Sequence, residues 1–307
     1  MSCCHQKYTE NPRAMWSVGL SYKTFKGGKG SIPFFGVIKS SLERMSDCKV
    51  EMIDAYDLDS YTNKHYDLIV SFSYFSDPPR GADQPARVNT EKLNYDNILY
   101  IESPICHDLL KNAFRLSLNS IYFCDNQLPD CISDFNSKRI VPAKRNESHG
   151  DGILILLQNP LQYFINQEYD GYEKMLNEII ADIRKNSDKR IIVRHKPGRE
   201  QRMNLIDPLN NMEISNTSLL EDSKRCYKCV SHATNAVSAC VYYGMDIVSL
   251  SRHNIAYNFS EKDFENVDAF NRVDYSELKK QILSCAYQLG DMKSDRFLDL
   301  MEAIRNA

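Results

Sequence analysis

The hydrophobic positions of the chain fall into short apolar runs separated by longer stretches with a helical period. In the first half, the apolar runs predict strands over residues 14–20, 50–54, 68–73, 97–101 and 120–124. Apolar positions three to four residues apart predict helices over residues 31–45 and 108–118. Strands that alternate with helices are typical of βαβ units, so we expect a mainly parallel sheet.

The same alternation resumes after a polar stretch over residues 138–150. It predicts strands over residues 152–157, 190–193, 212–214, 227–230 and 245–250, and helices over residues 171–186, 218–225, 275–289 and 294–305. The expected fold is therefore α/β, with two Rossmann-like domains facing a cleft, residues 1–146 and residues 147–307. Such a cleft is the usual place for a ligand.

Composition narrows the class of protein. A length of 307 residues with 42% hydrophobic content suits two domains. The net charge of −3 argues against a surface that coats nucleic acid or membrane with basic groups. No apolar run approaches the roughly 20 residues that a membrane span needs, and the N-terminus lacks the apolar core of a signal peptide, so we expect a soluble, cytoplasmic protein.

The cysteines do not predict a metal site. Ten are scattered along the chain, several of them in predicted core segments, which favours reduced thiols over disulfides. Cys226 and Cys229 have CxxC spacing, but neither a second CxxC pair nor a pair of histidines lies at the distance typical of a zinc site. We therefore expect no bound metal.

The most informative segment covers residues 230–248, which predict a strand, a small polar turn, a short buried helix and a second strand. Ser231, Thr234 and Asn235 come before the helix, whose first amides and positive dipole end favour an anion. Gly244 lies where the end of a helix needs a left-handed residue. The segment predicts a phosphate pocket, and an ordinary capped helix without a ligand remains the alternative.

A second cationic segment follows the strand over residues 190–193. Arg194, His195 and Lys196 come at its carboxyl end, before Pro197 stops it. Strand ends at that edge line the cleft of an open α/β sheet, and a guanidinium with an ammonium suits a pyrophosphate. The alternatives are a solvated basic turn and, for His195, a capping or core position.

Polar residues after other strands supply further candidates. Glu102 follows one strand and Asp108 opens the next predicted helix, so either carboxylate could take a proton from an acceptor hydroxyl, although Asp108 is equally suited to cap its helix. Gln158 follows the strand over residues 152–157 and could bind a base or sugar, or form a turn with Asn159 and Pro160.

A glycine-rich basic loop precedes the helix over residues 31–45. It matches neither a Walker A sequence nor the dinucleotide fingerprint, yet its glycines allow close approach of the backbone to a substrate or phosphate. A flexible loop without a ligand is the alternative. The candidate residues are Lys26, Gly27, Gly28 and Gly30.

The order of these motifs resembles two-domain GT-B glycosyltransferases related to capsule-polysaccharide transferases, including shorter versions encoded by bacteriophages. The segments that carry the resemblance are residues 98–103 with Asp108, 152–158, 191–197, 231–244, and the closing helices around residues 287–288 and 296–297.

The resemblance implies that the C-terminal domain holds a nucleotide-diphosphate sugar and the N-terminal domain an acceptor, with no tightly bound cofactor. Two departures concern the donor: Lys196 separates His195 from Pro197, and Ser238-Ala239 replaces a Glu-Ala pair whose glutamate commonly holds a ribose. The implied catalytic residues are Glu102, Asp108 and His195, and the implied donor-binding residues are Gln158, Arg194, Lys196, Ser231, His232, Thr234 and Asn235.

The expected activity is hexosyl or pentosyl transfer, and the acceptor stays open. Basic segments over residues 23–29, 138–145 and 189–202 are expected to line one groove along duplex DNA, so a hydroxymethylated pyrimidine in phage DNA is the preferred acceptor. A surface or capsular glycan is the alternative acceptor. A nucleotide-sugar epimerase of the same fold and a noncatalytic sugar-binding protein are the alternative functions.

Overall fold

The architecture is known from a computed structural model of the chain. The structure describes residues 15–22, 32–54, 57–72, 92–104, 113–120, 125–126, 128–129, 150–157, 171–196 and 203–307. These residues form two separate sheets with helices packed on them, which confirms the α/β class.

The first sheet has six strands in the order β11-β5-β4-β3-β1-β2. Strands β1 to β4 are mutually parallel, whereas β5 runs antiparallel to both β4 and β11. Trp16, Val18 and Leu20 alternate along β1 and pack on one face of the sheet, as the period of two predicts. The strands are β1 (Trp16–Tyr22), β2 (Cys48–Asp54), β3 (His65–Phe72), β4 (Asn94–Pro104), β5 (Ala113–Leu118) and β11 (Ala286–Gln288).

The second sheet has five parallel strands in the order β10-β9-β6-β7-β8. Helices and loops cover both faces, so the central strands are continuous apolar runs. Leu154 and Leu156 face one core, and Ile153 and Ile155 face the other. The strands are β6 (Gly152–Leu156), β7 (Ile191–Arg194), β8 (Met212–Ile214), β9 (Cys226–Ser231) and β10 (Asp246–Ser249).

The helices lie close to their predicted positions. In the longest of them, five buried apolar residues repeat at helical spacing and pack on the second sheet. The helices are α1 (Ile32–Leu42), α2 (Tyr172–Asn186), α3 (Leu219–Arg225), α4 (Val237–Tyr242), α5 (Ser276–Cys285) and α6 (Asp295–Asn306).

The end of the chain returns to the first sheet. Helix α5 ends at Cys285, and β11 then pairs with β5. Helix α6 buries Phe297 and Leu300 in the core that also contains Trp16. The predicted second domain, residues 147–307, therefore includes a segment that completes the first sheet. The predicted boundary itself lies outside the described residues.

Two predicted helices are wrong in part. Residues 113–118 of the first form strand β5, and residues 286–288 of the second form strand β11. These two strands pair with each other at one end of the first sheet, so pairing between residues far apart in sequence overrides the local helical period. Residues 108–112, and residues 121–124 of the strand predicted over residues 120–124, lie outside the described residues, whereas Ser120 is described and is not part of a strand.

The described cysteines are free thiols, as predicted. Cys226 and Cys229 on β9 and Cys240 on α4 are buried in the same hydrophobic core. Burial raises the pKa of the Cys226 and Cys229 thiols well above the ordinary value, so both are protonated and unreactive at neutral pH. Within the part of the chain that the structure describes, no helix combines the length and apolar character that crossing a membrane requires.

Candidate active site at the carboxyl edge of the second sheet

The register of the second sheet brings its predicted site segments to one edge. Leu156, the last residue of β6, lies beside Arg194 on β7 and beside Ser231 on β9, and Ser231 in turn lies beside Ser249 on β10. All these strands are parallel, so their carboxyl ends share one edge. The two motifs, more than 30 residues apart in sequence, therefore adjoin the same edge, as the sequence predicts.

Arg194 is anchored by a buried carboxylate. Its Nη1 donates to Asp222 Oδ2 at 3.0 Å and to the Thr217 carbonyl oxygen at 2.5 Å. Asp222 is fully buried and also accepts from Ser215 Oγ at 2.5 Å. One edge of the guanidinium is thus committed to helix α3 and its preceding loop. The role predicted for Arg194 at a donor phosphate stays a prediction.

His195 and Lys196 continue from β7 beyond the sheet. The Leu157 amide donates to the Arg194 carbonyl at 2.9 Å, which extends the pairing of β6 with β7 by one residue and fixes the backbone just before His195. His195 is half-buried, whereas Lys196 is exposed and forms no ion pair with a described residue. Lys196 therefore offers its charge to solvent or to a ligand at this edge.

The turn before α4 differs from the expected anion pocket. The amides of Val237, Ser238 and Ala239 donate to the carbonyls of Thr234, Asn235 and Ala236 at 3.0–3.3 Å. The prediction that these first helical amides are free is therefore wrong, because the turn winds tightly enough to satisfy them itself. His232 is buried, and Thr234 and Asn235 are half-buried at the same edge.

Two buried hydroxyls at this edge have no hydrogen-bond partner among the described residues. Ser231 and Ser249 are 1% and 0% exposed, and both Oγ atoms are unsatisfied. Unsatisfied buried polar atoms are uncommon in proteins, so this pair marks a polar position at the end of the sheet. Asn254, fully buried, donates from Nδ2 to the Ser231 carbonyl at 3.1 Å and ties the segment after β10 to the end of β9.

Sequence reasoning missed Asp222, Ser249 and Asn254. Asp222 lies 28 residues after Arg194, and its only local signal is an acidic residue near the start of a helix. Ser249 is the last residue of β10 and the second-last position of the strand predicted over residues 245–250, where a polar residue near the carboxyl edge could have drawn attention to it. Asn254 carries no recognisable local pattern.

The structure leaves the other candidates untested. Glu102 lies in β4, in register with Arg115 of β5, and the glycine-rich loop connects the end of β1 to the start of α1. The roles assigned to these residues stay predictions. The candidates outside the described residues are Lys26, Gly27, Gly28, Gly30, Asp108 and Gln158.

A polar cavity of about 590 Å³ lies at the opposite, amino edge of the second sheet. Its lining includes Asp151 before β6, Arg190 before β7, and Arg184 at the end of α2. Arg184 is already held by Asp207 through Nε–Oδ1 and Nη2–Oδ2 contacts of 2.8 and 3.0 Å. This cavity is therefore separate from the predicted donor site.

Comparison with solved structures identifies the fold. No family model matches the sequence, and no curated protein matches it either. Among solved structures, the chain is similar to the Thermosulfurimonas dismutans KpsC beta Kdo 2,4 transferase, with a TM-score of 0.50 and 12% identity over 87% of this chain and 89% of that one. It is also similar to the KpsC beta Kdo 2,7 transferase of the same organism, with a TM-score of 0.51 and 10% identity over 94% and 98% of the two chains. The chain thus has a GT-B-like fold with two Rossmann-like domains.

Proposed function

We propose that the protein is a glycosyltransferase that uses a nucleotide-activated sugar. The observation that carries the proposal is the shared carboxyl edge of the second sheet, where the Arg194–Lys196 and Ser231–Asn235 segments adjoin the same central strand. The fold supports it, because the two solved structures named above are Kdo transferases by name.

The donor nucleotide would bind at this edge of the second sheet. Lys196 supplies an exposed positive charge for the phosphates, and Arg194 supplies the part of its guanidinium that Asp222 does not occupy. Thr234 and Asn235 offer polar side chains beside them, and His232 lines the inner side of the turn. Gln158, which follows β6 in the sequence, is the remaining residue that we propose for this set.

The reaction moves one sugar between two oxygen atoms. The acceptor hydroxyl oxygen forms a bond to the anomeric carbon while the bond from that carbon to the phosphate oxygen breaks. The hydroxyl proton passes to His195, Glu102 or Asp108, and the negative charge on the departing phosphate is stabilised by Lys196. We propose a saccharide as the acceptor, bound on the first-domain side near the glycine-rich loop.

We prefer a saccharide to DNA as the acceptor because the described basic residues do not lie along one groove. Strand β7 separates Lys189 and Arg190, at the amino edge of the second sheet, from Lys196 at the carboxyl edge. Lys189 also lies over the Tyr227 ring at 4.3 Å and donates to the Asp268 carbonyl. The segments over residues 23–29 and 138–145 lie outside the described residues. Both structural neighbours named above are Kdo transferases by name, and neither name points to a nucleic-acid acceptor.

Mass spectrometry of reaction products tests the proposal. The full chain is incubated with a panel of nucleotide sugars and with glycan or hydroxymethylated duplex DNA acceptors. We expect a glycan product heavier by one sugar residue, formed together with free nucleotide. A sugar on DNA would overturn the acceptor, and isomerisation of the donor without an acceptor would indicate an epimerase. If none of the donors is changed, the proposal that the protein is an enzyme is overturned.

Matched variants test the location of the site. His195→Ala should lower the rate of transfer by about 100-fold or more, because it removes the proposed base. Lys196→Ala should lower the rate by a smaller factor, because it removes a positive charge from the phosphate site. Glu221→Gln is the control, because Glu221 is exposed on α3 and pairs only with Lys224 among the described residues. Equal transfer rates for wild type, His195→Ala and Lys196→Ala would place the chemistry elsewhere.

A further inference from the structure

A second cluster of polar side chains lies at the amino edge of the first sheet. It consists of His65 and Asp67 on β3 and Asp96 on β4. One ligand atom from each of the three side chains lies within 4.8 Å of the other two. This cluster is separate from the candidate active site, which lies at the carboxyl edge of the other sheet.

The strand register explains why these side chains converge. Tyr66 pairs with Tyr95 and Leu68 with Asn97, so Asp67 lies directly beside Asp96. His65 precedes Asp67 by two residues and therefore projects from the same face of the strand. Two neighbouring strands inside a six-stranded sheet thus hold all three residues, which gives the cluster a rigid backbone.

Existing contacts hold the three groups in place: one orients Asp67 from a neighbouring strand, and one joins His65 to Asp96. The Ser17 amide donates to Asp67 Oδ2 at 2.5 Å and fixes that carboxylate from β1. His65 Nε2 lies 3.3 Å from Asp96 Oδ2. The bond from the Ser17 amide comes from outside the cluster and is of the kind that orients a metal ligand in known sites, whereas the contact between His65 and Asp96 joins two of the proposed ligands.

The charge balance favours a cation. The cluster holds two carboxylates, and among the described residues neither forms an ion pair with a lysine or arginine. The side chains of His65 and Asp96 are 49% and 60% exposed, so an ion can reach them directly from solvent.

We propose that His65, Asp67 and Asp96 bind a divalent first-row metal ion through one nitrogen and two oxygen ligands, with water completing its coordination. Ligand atoms bound to such an ion lie about 3 Å from one another. Small rotations of the three side chains would bring their ligand atoms, now within 4.8 Å of one another, to that distance. The ion would join β3 to β4 at the amino edge and stabilise the first sheet. This proposal does not depend on glycosyl transfer.

Titration with Mn²⁺ alone tests the proposal. Mn²⁺ prefers oxygen and imidazole ligands to thiolates, so the ten cysteines compete weakly for it. The full chain, first freed of metal with a chelator, is titrated while the electron paramagnetic resonance signal of free Mn²⁺ is recorded. We expect one bound ion per chain, and Mn²⁺ should raise the thermal unfolding midpoint.

Three variants identify the ligands. Asp96→Asn and His65→Gln should each weaken binding by about tenfold or more, since loss of even an orienting partner costs that much. Asp59→Asn is the matched control, an exposed aspartate of the same domain outside the cluster, and it should bind like wild type. Circular dichroism checks that each variant is folded. Binding that is absent in wild type, or unchanged in both Asp96→Asn and His65→Gln, would overturn the proposal.

Discussion

At the scale of single residues, the fate of Arg194 shows what sequence can and cannot predict. Its place at a strand end follows from the apolar run before it, and the structure confirms that place. Its partner Asp222 lies 28 residues away on a helix that packs beside β9, so the ion pair depends on tertiary structure. For the same reason, the sequence predicted the position of the cationic segment but not the anchoring of its first residue.

Replacement of Asp222 tests the importance of this anchor. Asp222→Ala should lower the free energy of unfolding by roughly 3–5 kcal/mol, because it leaves the Arg194 guanidinium, only 15% exposed, without its carboxylate. Urea unfolding measures the change, with Glu221→Gln as a control expected to stay within about 0.5 kcal/mol of wild type. A loss no larger than that of the control would show that the buried pair contributes little to stability.

A second buried pair, Arg184 with Asp207, predicts a dependence on pH. The Arg184 guanidinium holds the pKa of Asp207 below its ordinary value of 3.8. Because the pKa is lower in the folded state, the ionised carboxylate stabilises the protein at pH values above the ordinary pKa. This stabilisation disappears as the pH falls through the lowered pKa. In urea unfolding, the wild type should therefore lose free energy of unfolding between pH 6 and about pH 2. Asp207→Asn, which is already less stable at neutral pH, should lack this loss. Parallel curves for the two proteins would contradict this role.

At the scale of elements, the short helix α4 follows its sequence prediction closely at its end. Gly244 has a φ of +81°, its amide donates to the Val241 carbonyl at 3.2 Å, and the Met245 amide donates to the Cys240 carbonyl at 3.1 Å. These two bonds form a Schellman motif, which a glycine after a buried helix predicts. Strands β5 and β11 were missed because their pairing joins residues more than 160 positions apart.

Substitution of this glycine tests the motif. Gly244→Ala should lower the free energy of unfolding by about 1–2 kcal/mol, because a side chain disfavours the left-handed conformation. Gly290→Ala is the control, since Gly290 has a φ of −65° and open space around an added Cβ. Thermal unfolding compares the two variants, and equal midpoints would show that α4 ends without need of the left-handed residue.

At the scale of the whole molecule, the last part of the chain links the two sheets. Helix α5 packs in the core of the second sheet, and α6 packs on the first. Ser41 Oγ on α1 donates to the Met292 carbonyl at 2.6 Å, which fastens the returning segment. The sequence predicted two α/β halves, but it assigned this segment to the second half because local periodicity does not reveal which core a helix joins.

The single tryptophan of the chain, Trp16, reports on this packing. Phe297→Ala should lower the stability seen by Trp16 fluorescence by about 3–5 kcal/mol, because Phe297 is fully buried in the same core. Leu289→Ala, at a side chain that is 39% exposed, should change it little. An effect of Phe297→Ala no greater than that of Leu289→Ala would show that α6 is dispensable for the first domain.

Acceptor-dependent release of nucleotide from a nucleotide sugar is the most direct test of the proposed function. The initial rate is measured for the full chain with and without a glycan acceptor, beside His195→Ala and Glu221→Gln. We predict release that requires the glycan, persists in Glu221→Gln and falls by about 100-fold in His195→Ala. Release that is independent of the glycan, or equal in wild type and His195→Ala, would contradict a glycosyltransferase with its active site at the carboxyl edge of the second sheet.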